Sequence, residues 1–254
     1  PMKRLALFAA LFFGASPVVA QTYPSKPIRV ITANSAGGTS DIFVRALGDE
    51  LQKRLGQPIV VENRSGGGMN IAGRACAEAP NDGYNICILP NEVLTLNEFT
   101  YKSIPYNPAK DFEPITNCFI NTQVLVVSSV LNINSLGELA ALSKSKPGTL
   151  SYSVLAIPMQ ITFENWKKAT GADIVMVPSR GGNDMVTGLL TGTTPVAIVG
   201  LPNFIPHIRS GAVKALAVDS EARSPLFPDV PTLNELGLPN LAPVYFGFVA
   251  PAGT

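Results

Sequence analysis

Short apolar runs alternate with segments of helical spacing along most of this chain, and that alternation restricts its fold more than any other feature. The first unit is the clearest. Ile28-Arg29-Val30-Ile31 reads as a buried strand, the Ala36-Gly37-Gly38 turn follows, and Phe43, Leu47, Leu51 and Leu55 recur at helical spacing. Two glycines permit a sharp turn with open backbone amides. Thr39, Ser40 and Asp41 are helix-starting residue types. Open amides beside the positive end of a helix dipole make an anion seat, so on spacing alone the loop from Ser35 to Asp41 divides between a seat for a carboxylate and an ordinary strand-to-helix turn.

Further units follow. Pro58 to Asn63 reads as a strand, Arg64 to Asn70 as a glycine loop, and Ile71 to Ala79 as a helix with Ile71, Ala72, Ala75, Cys76 and Ala79 inward. Tyr84 to Leu89 is a third strand after the Pro80-Asn81-Asp82-Gly83 turn. Strands alternating with helices predict an α/β fold built on parallel sheets covered on both faces. A Pro-rich, less regular stretch runs from Pro90 to Pro114, and Val124 to Val130 is a β-branched strand. Ser135 is expected to cap a helix over Leu136 to Lys144. The second half repeats the rhythm. Strands are expected at Leu150 to Val154, Ile174 to Val177, Val196 to Val199, Ala212 to Val218 and Tyr245 to Val249. Helices are expected at Gln160 to Thr170, Asp184 to Leu190 and Ile205 to Ser210. Ile161, Phe163 and Trp166 read as core rather than as a ligand cage.

With 254 residues, the chain has room for one large domain or two small ones. The crossing is placed near Asn117 to Thr122. Residues 21–120 and 243–254 then form one α/β domain with the anchor loop, and 121–242 form a second with the specificity loops. Residues 1–20 read as a signal peptide: Lys3 and Arg4 precede an apolar run from Leu5 to Ala15, and Val18-Val19-Ala20 supplies a cleavage site. The run is short of the roughly 20 residues of a spanning helix. No cysteine follows the cleavage site, so a lipid anchor is not indicated.

A net charge of +1 gives no basic surplus for nucleic acid. With a single histidine, His207, and no CxxC pair, no metal site and no cofactor are expected. Neither a Walker loop nor a GxGxxG fingerprint is present. A secreted hydrolase using Ser35, Ser40 or Ser179 with His207 lacks the GxSxG elbow, so the chain is not read as an enzyme. Of Cys76, Cys87 and Cys118, the first two have two readings, a disulfide or small buried apolar residues, and the second is favoured. Arg180 follows a strand end, where α/β sheets bind ligands, and is divided between a carboxylate clamp and a solvated charge.

A long ordered series of motifs adds to this. It includes Tyr23-Pro24-Ser25-Lys26-Pro27-Ile28-Arg29, the Ala-Gly-Gly-Thr-Ser-Asp loop, Val61-Glu62-Asn63-Arg64, Asn81-Asp82-Gly83-Tyr84 and Pro105-Tyr106-Asn107-Pro108. Lys146-Pro147-Gly148-Thr149-Leu150, Pro206 to Gly211, Leu216-Ala217-Val218, Pro228 to Thr232 and Pro251-Ala252-Gly253-Thr254 follow. Together they resemble the extracytoplasmic solute receptors of tripartite tricarboxylate transporters, the Bug receptors, from about Tyr23 to Thr254.

The resemblance implies a monomeric periplasmic receptor with two α/β domains and a hinged cleft for a small organic carboxylate. Its partners would be membrane permease subunits, or a sensor kinase ectodomain if the bound acid is a signal. It assigns ligand binding to Ser35, Ala36, Gly37, Gly38, Thr39, Ser40 and Asp41 in the first domain. In the second it assigns Ser153, Ala156, Ile157, Pro158, Ser179, Arg180, Gly181, Gly182, Val199 and Gly200.

The second-domain loops depart from the family pattern. Val154-Leu155-Ala156-Ile157-Pro158-Met159 replaces a glycine-rich run, Ser179-Arg180 an aromatic and a lysine, and Val199-Gly200 an acidic and a polar residue. A more apolar cleft is expected, with fewer free amides opposite the anchor. It would suit an aromatic or medium-chain acid, or else bind poorly. Family members also continue with helices beyond Pro-Ala-Gly-Thr, which are missing here; exposed apolar surface on the first domain is the expectation.

Overall fold

The computed structural model describes residues 22–179, 181–238 and 242–254. The expected signal peptide and Arg180 fall outside the described residues. Two five-stranded sheets carry the fold.

The first sheet contains β1 (Ile28–Thr32), β2 (Ile59–Asn63), β3 (Asn85–Pro90), β4 (Phe112–Ile120) and β10 (Tyr245–Pro251), in the order β2-β1-β3-β10-β4. The second contains β5 (Gln123–Ser128), β6 (Leu150–Val154), β7 (Ile174–Met176), β8 (Val196–Gly200) and β9 (Val213–Val218), in the order β7-β6-β8-β5-β9. The chain passes from the first sheet to the second between Ile120 and Gln123, and returns between β9 and β10.

The sheets are mixed, not parallel throughout. β1 runs parallel to β2 and β3, and β6 to β7 and β8. β10 is antiparallel to β3 and β4, and β5 is antiparallel to β8 and β9. The physical reason is the exchange between sheets. β4, β5, β9 and β10 flank the two passages, and a strand entering from the other sheet need not follow a right-handed crossover.

Helices α1 (Thr39–Leu55), α2 (Asn70–Ala77), α3 (Asn91–Thr95) and α4 (Asn97–Thr100) belong to the first sheet. Helices α5 (Leu136–Ser145), α6 (Ile157–Thr170), α7 (Gly182–Thr191) and α8 (Ile205–Arg209) belong to the second. The stretch after Pro90 is therefore more regular than its prolines suggest. Helix α1 buries Val44 and Gly48, with Phe43, Leu47 and Leu51 only half-buried and Leu55 exposed. Its inner face turns about Gly48 because a side chain there would meet the Ile59 Cβ at 3.1 Å. Helix α2 buries Ala72 and Cys76, but Ile71 is 48% exposed and packs over the Gly66-Gly67 turn instead. Phe163 and Trp166 are core, while Ile161 faces solvent.

Ser135 caps α5 as its sequence predicts. Its hydroxyl accepts the Glu138 N–H at 3.1 Å, and the Glu138 carboxylate takes the Asn134 N–H at 2.7 Å. Cys76 and Cys87 form a disulfide between α2 and β3, against the favoured reading of three separate thiols. Both lie in the buried cluster of Ile31, Leu89 and Val93, which is why their composition read as ordinary core. Cys118 is a free thiol. Among the described residues no helix is long and apolar enough to cross a membrane, and no group of residues is placed to hold a metal.

Candidate functional site

Loops at the carboxyl ends of the parallel strands of both sheets face one another. This is where α/β sheets place ligands. Between them lie an inner cavity of about 20 Å³ and an outer one of about 440 Å³. Leu155 lines both.

The first wall is the loop after β1. Asn34 accepts from both the Ser40 N–H (3.1 Å) and the Ser40 hydroxyl (2.7 Å). The Asp41 carboxylate accepts the Gly37 N–H at 2.9 Å and the Asn63 amide at 2.9 Å, and pairs with Arg45 at 2.9 Å. Burial raises the Asp41 pKa. Hydrogen bonds from Arg45, the Gly37 amide and Asn63 outweigh that and hold the carboxyl below its ordinary range. Gly37 takes a positive φ of 79°, and a Cβ on Gly38 would stand 2.7 Å from that of Asn34. Both glycines are therefore required by the backbone.

This network corrects one expectation. The Gly37 amide is held by Asp41, and the Gly38 amide by the Ser35 carbonyl at 2.9 Å. Of the four amides from Ala36 to Thr39, only those of Ala36 and Thr39 have no acceptor among the described residues. Nor is Asp41 the cap of α1. The cap position is Gly38, which has no side chain, and Asn34 accepts the Ser40 N–H in its place.

The second wall repeats that device. Helix α6 starts after Ala156 and α7 after Gly181, and neither cap residue supplies a side-chain hydrogen bond. The starts of α1, α6 and α7 thus line or border one cavity, through Gly38-Thr39, Ala156 and Gly182; at α1 the Ser40 N–H is taken by Asn34, and at α6 the Ile157 N–H is taken by Glu92. At the start of α6 few amides are free, since Glu92 takes that of Ile157 and Pro158 has none. The wall's apolar side chains, Leu155, Ala156 and Val199, sit beside helix starts whose amides they cannot cap. The useful sequence signal was the absence of Ser, Thr, Asp or Asn before a helix at the end of a parallel strand.

Of the expected site residues, Gly38, Thr39, Ala156, Gly182, Val199 and Gly200 line the inner cavity. Ile157 and Ser179 line the outer one with Gln160, Met176 and the Gly66-Gly67-Gly68 turn. Ala36 and Gly37 stand at the rim, where Asn183 of the second wall donates to the Ala36 carbonyl at 2.6 Å. Ser35 faces Gly181, since a Cβ there would approach the Ser35 hydroxyl to 2.8 Å. Ser40 and Asp41 lie beneath the loop, and Ser153 and Pro158 are buried behind the second wall. Neither cavity is lined by His207 among the described residues, and the Ser40 hydroxyl donates to Asn34.

Sequence reasoning missed Glu92, Asn121 and Gln123, and reached Asn203 only as the end of the Val199 to Asn203 loop that the family resemblance implies. Asn121 and Gln123 lie where the chain passes between sheets. The Asn203 amide donates to the Thr39 hydroxyl (3.2 Å) and to the Gly200 carbonyl (2.9 Å), joining the walls. Gly200 packs so closely that a Cβ would stand 2.5 Å from the Asn121 Oδ1. Glu92, two residues past β3, is 5% exposed, and burial pushes its pKa up to about 7 against the amides of Glu92 and Ile157. Its position after a parallel strand was the available signal, hidden by the Pro-rich reading of that stretch.

Residues 43–254 match the family described as tripartite tricarboxylate transporter family receptor. The chain is 37% identical to BugT of Bordetella pertussis over 261 residues, covering 100% of this chain and 80% of that protein. Among solved structures it resembles an R. palustris protein solved with adipate, at TM-score 0.84 and 31% identity, covering 91% of this chain and 79% of that one. It also resembles MatC from Rhodopseudomonas palustris with bound malate, at TM-score 0.81 and 27% identity, covering 91% and 80%. With its two sheets, facing strand ends and this extent of match, the chain belongs to the tripartite tricarboxylate transporter receptor family.

Proposed function

We propose that the protein is a periplasmic binding protein, not an enzyme, that captures an organic carboxylate by closing two lobes over it. Residues 21–120 and 243–254 form one lobe and 121–242 the other. The observation that carries this reading is the convergence of three helix starts, none with a side-chain hydrogen bond from its own cap residue, on one small cavity between the walls. The adipate and malate bound by the two related structures support the same ligand class.

The Thr39 and Ala36 amides receive the carboxylate, with the α7 N-terminus opposite. The outer cavity takes the rest of the ligand. Its walls of Val154, Leu155, Ile157, Met176, Val177 and Pro178 suit an aromatic or medium-chain group. Asn183 and Asn203 bridge the walls and act as closure contacts. The closed receptor, a monomer, delivers its acid to membrane permease subunits. Presentation to a sensor kinase would use the same closed form.

Calorimetry on the purified protein tests the ligand class with an acid and its neutral amide, such as 3-phenylpropanoate and 3-phenylpropanamide. The acid is expected to bind at least about 10-fold tighter, from charge-assisted hydrogen bonds worth about 1.5–3 kcal/mol. Equal affinity for the amide overturns the carboxylate reading.

A further inference from the structure

Glu92 is an anomaly in a site built from helix N-termini. It opens the helical stretch after β3 and lines the inner cavity. One carboxylate oxygen, Oε2, is buried without a hydrogen-bond partner. No Lys or Arg among the described residues lines that cavity, and Glu92 is the one ionisable side chain among those that do. The nearby Asn121 also keeps its Oδ1 buried and unpartnered. Two acceptors on residues that line one small cavity therefore each lack a donor. Leaving such groups unsatisfied costs about 1–3 kcal/mol each, more for a charged group. A donor supplied by the ligand removes that cost.

Resting on the carboxylate reading, we infer that Glu92 is a specificity residue selecting a ligand with an ammonium group beside its carboxylate. The anchor loop takes the carboxylate and Glu92 takes the ammonium. The outer cavity takes an apolar side chain, so the ligand class is an amino acid with an aromatic or branched aliphatic side chain. A plain acid places its carboxylate near Glu92 with no positive charge between them. A zwitterion neutralises the pair and satisfies Oε2. Burial of the Glu92 carboxyl, which favours its neutral form in the empty site, is reversed by the same contact.

Matched pairs measured by calorimetry at pH 8 test this: L-phenylalanine against 3-phenylpropanoate, and L-leucine against 4-methylpentanoate. The wild-type protein is expected to prefer the amino acid of at least one pair by about 10-fold or more. Glu92→Gln keeps the size and can still accept the Ile157 amide, but offers a donor in place of the second acceptor. It is expected to reverse the preference toward the plain acid. Glu92→Met, matched in volume, is expected to abolish it and serves if the first variant does not fold. Wild-type protein that binds the plain acids as tightly as the amino acids overturns the Glu92 assignment and leaves the carboxylate reading standing. An amino-acid preference unchanged in either variant also overturns it. Binding of the neutral amides as tightly as the acids overturns the carboxylate reading itself.

Discussion

The two walls of the cleft reach similar electrostatics by different means. The first wall is locally wired. Ser40 donates to Asn34 and Gly37 to Asp41 within one eight-residue stretch, and Asn63 on the neighbouring strand donates to both Asn34 and Asp41. The second wall has shorter local links, Ser179 with Gly181 and the Asn203 amide with the Gly200 carbonyl. Its shape comes from Gly181, Gly182 and Gly200, against which Ser35, Asn203 and Asn121 respectively pack closely. A wall held by its own hydrogen bonds is rigid when the cleft is open. A wall defined by what packs against it takes its final form on closure.

The sharpest way to break that comparison is Asp41→Ala, expected to cost about 3 kcal/mol of stability, because it removes a buried charge with three partners. Denaturant unfolding checks it. A loss below about 1 kcal/mol would mean the first wall is not self-supporting. The Asp41 pKa is lowered in the folded state, so its contribution is present above the ordinary carboxylate pKa and is lost as pH falls through the folded value. Acid unfolding of wild type should therefore be steeper than that of Asp41→Ala.

Gly200→Val should leave the first wall intact and act on closure. A Cβ at Gly200 meets Asn121 at 2.5 and 2.8 Å and the Thr39 hydroxyl at 3.0 Å. Overpacking of about 1–3 kcal/mol corresponds to an affinity loss of about 5- to 150-fold, read by calorimetry. Unchanged affinity would show that the walls do not meet in the bound state.

The third effect is in pH. Glu92 and Asp219 are both buried, and burial pushes each pKa up to about 7 in the fold. The backbone amides of Gln123 and Asp219 oppose the rise at Asp219. Between roughly pH 4.5 and 7 the folded state holds protons that the unfolded chain has released, so stability falls as pH rises. Glu92→Gln should gain about 1–3 kcal/mol at pH 8 and little at pH 4. A gain equal at both values would contradict the buried-acid account. The smallest effect belongs away from the cleft. Ser135→Ala should lose about 1 kcal/mol of stability by removing the α5 cap, with ligand affinity unchanged.

The same contrast explains what the sequence could disclose. The first wall was legible because its parts are close in the chain: strand, glycine turn and helix start are contiguous, and Asp41 bonds Gly37 four residues away. The α/β rhythm and the Ser135 cap were legible for the same reason. Asn121 and Gln123 were not, since their importance arises where the chain passes between sheets. The mixed strand directions were hidden as well, because an apolar run carries no mark of which sheet it enters. The pairing of Cys76 with Cys87 depended on the helix α2 to β3 packing, which spacing alone left open.

The most direct test of the central claim is a crystal structure of the protein with its bound acid. The ligand carboxylate should lie within hydrogen-bond distance of the Thr39 amide, with Asn183 and Asn203 still bridging to the first wall. A ligand whose carboxylate sits elsewhere, with the Thr39 amide facing solvent, would contradict the account.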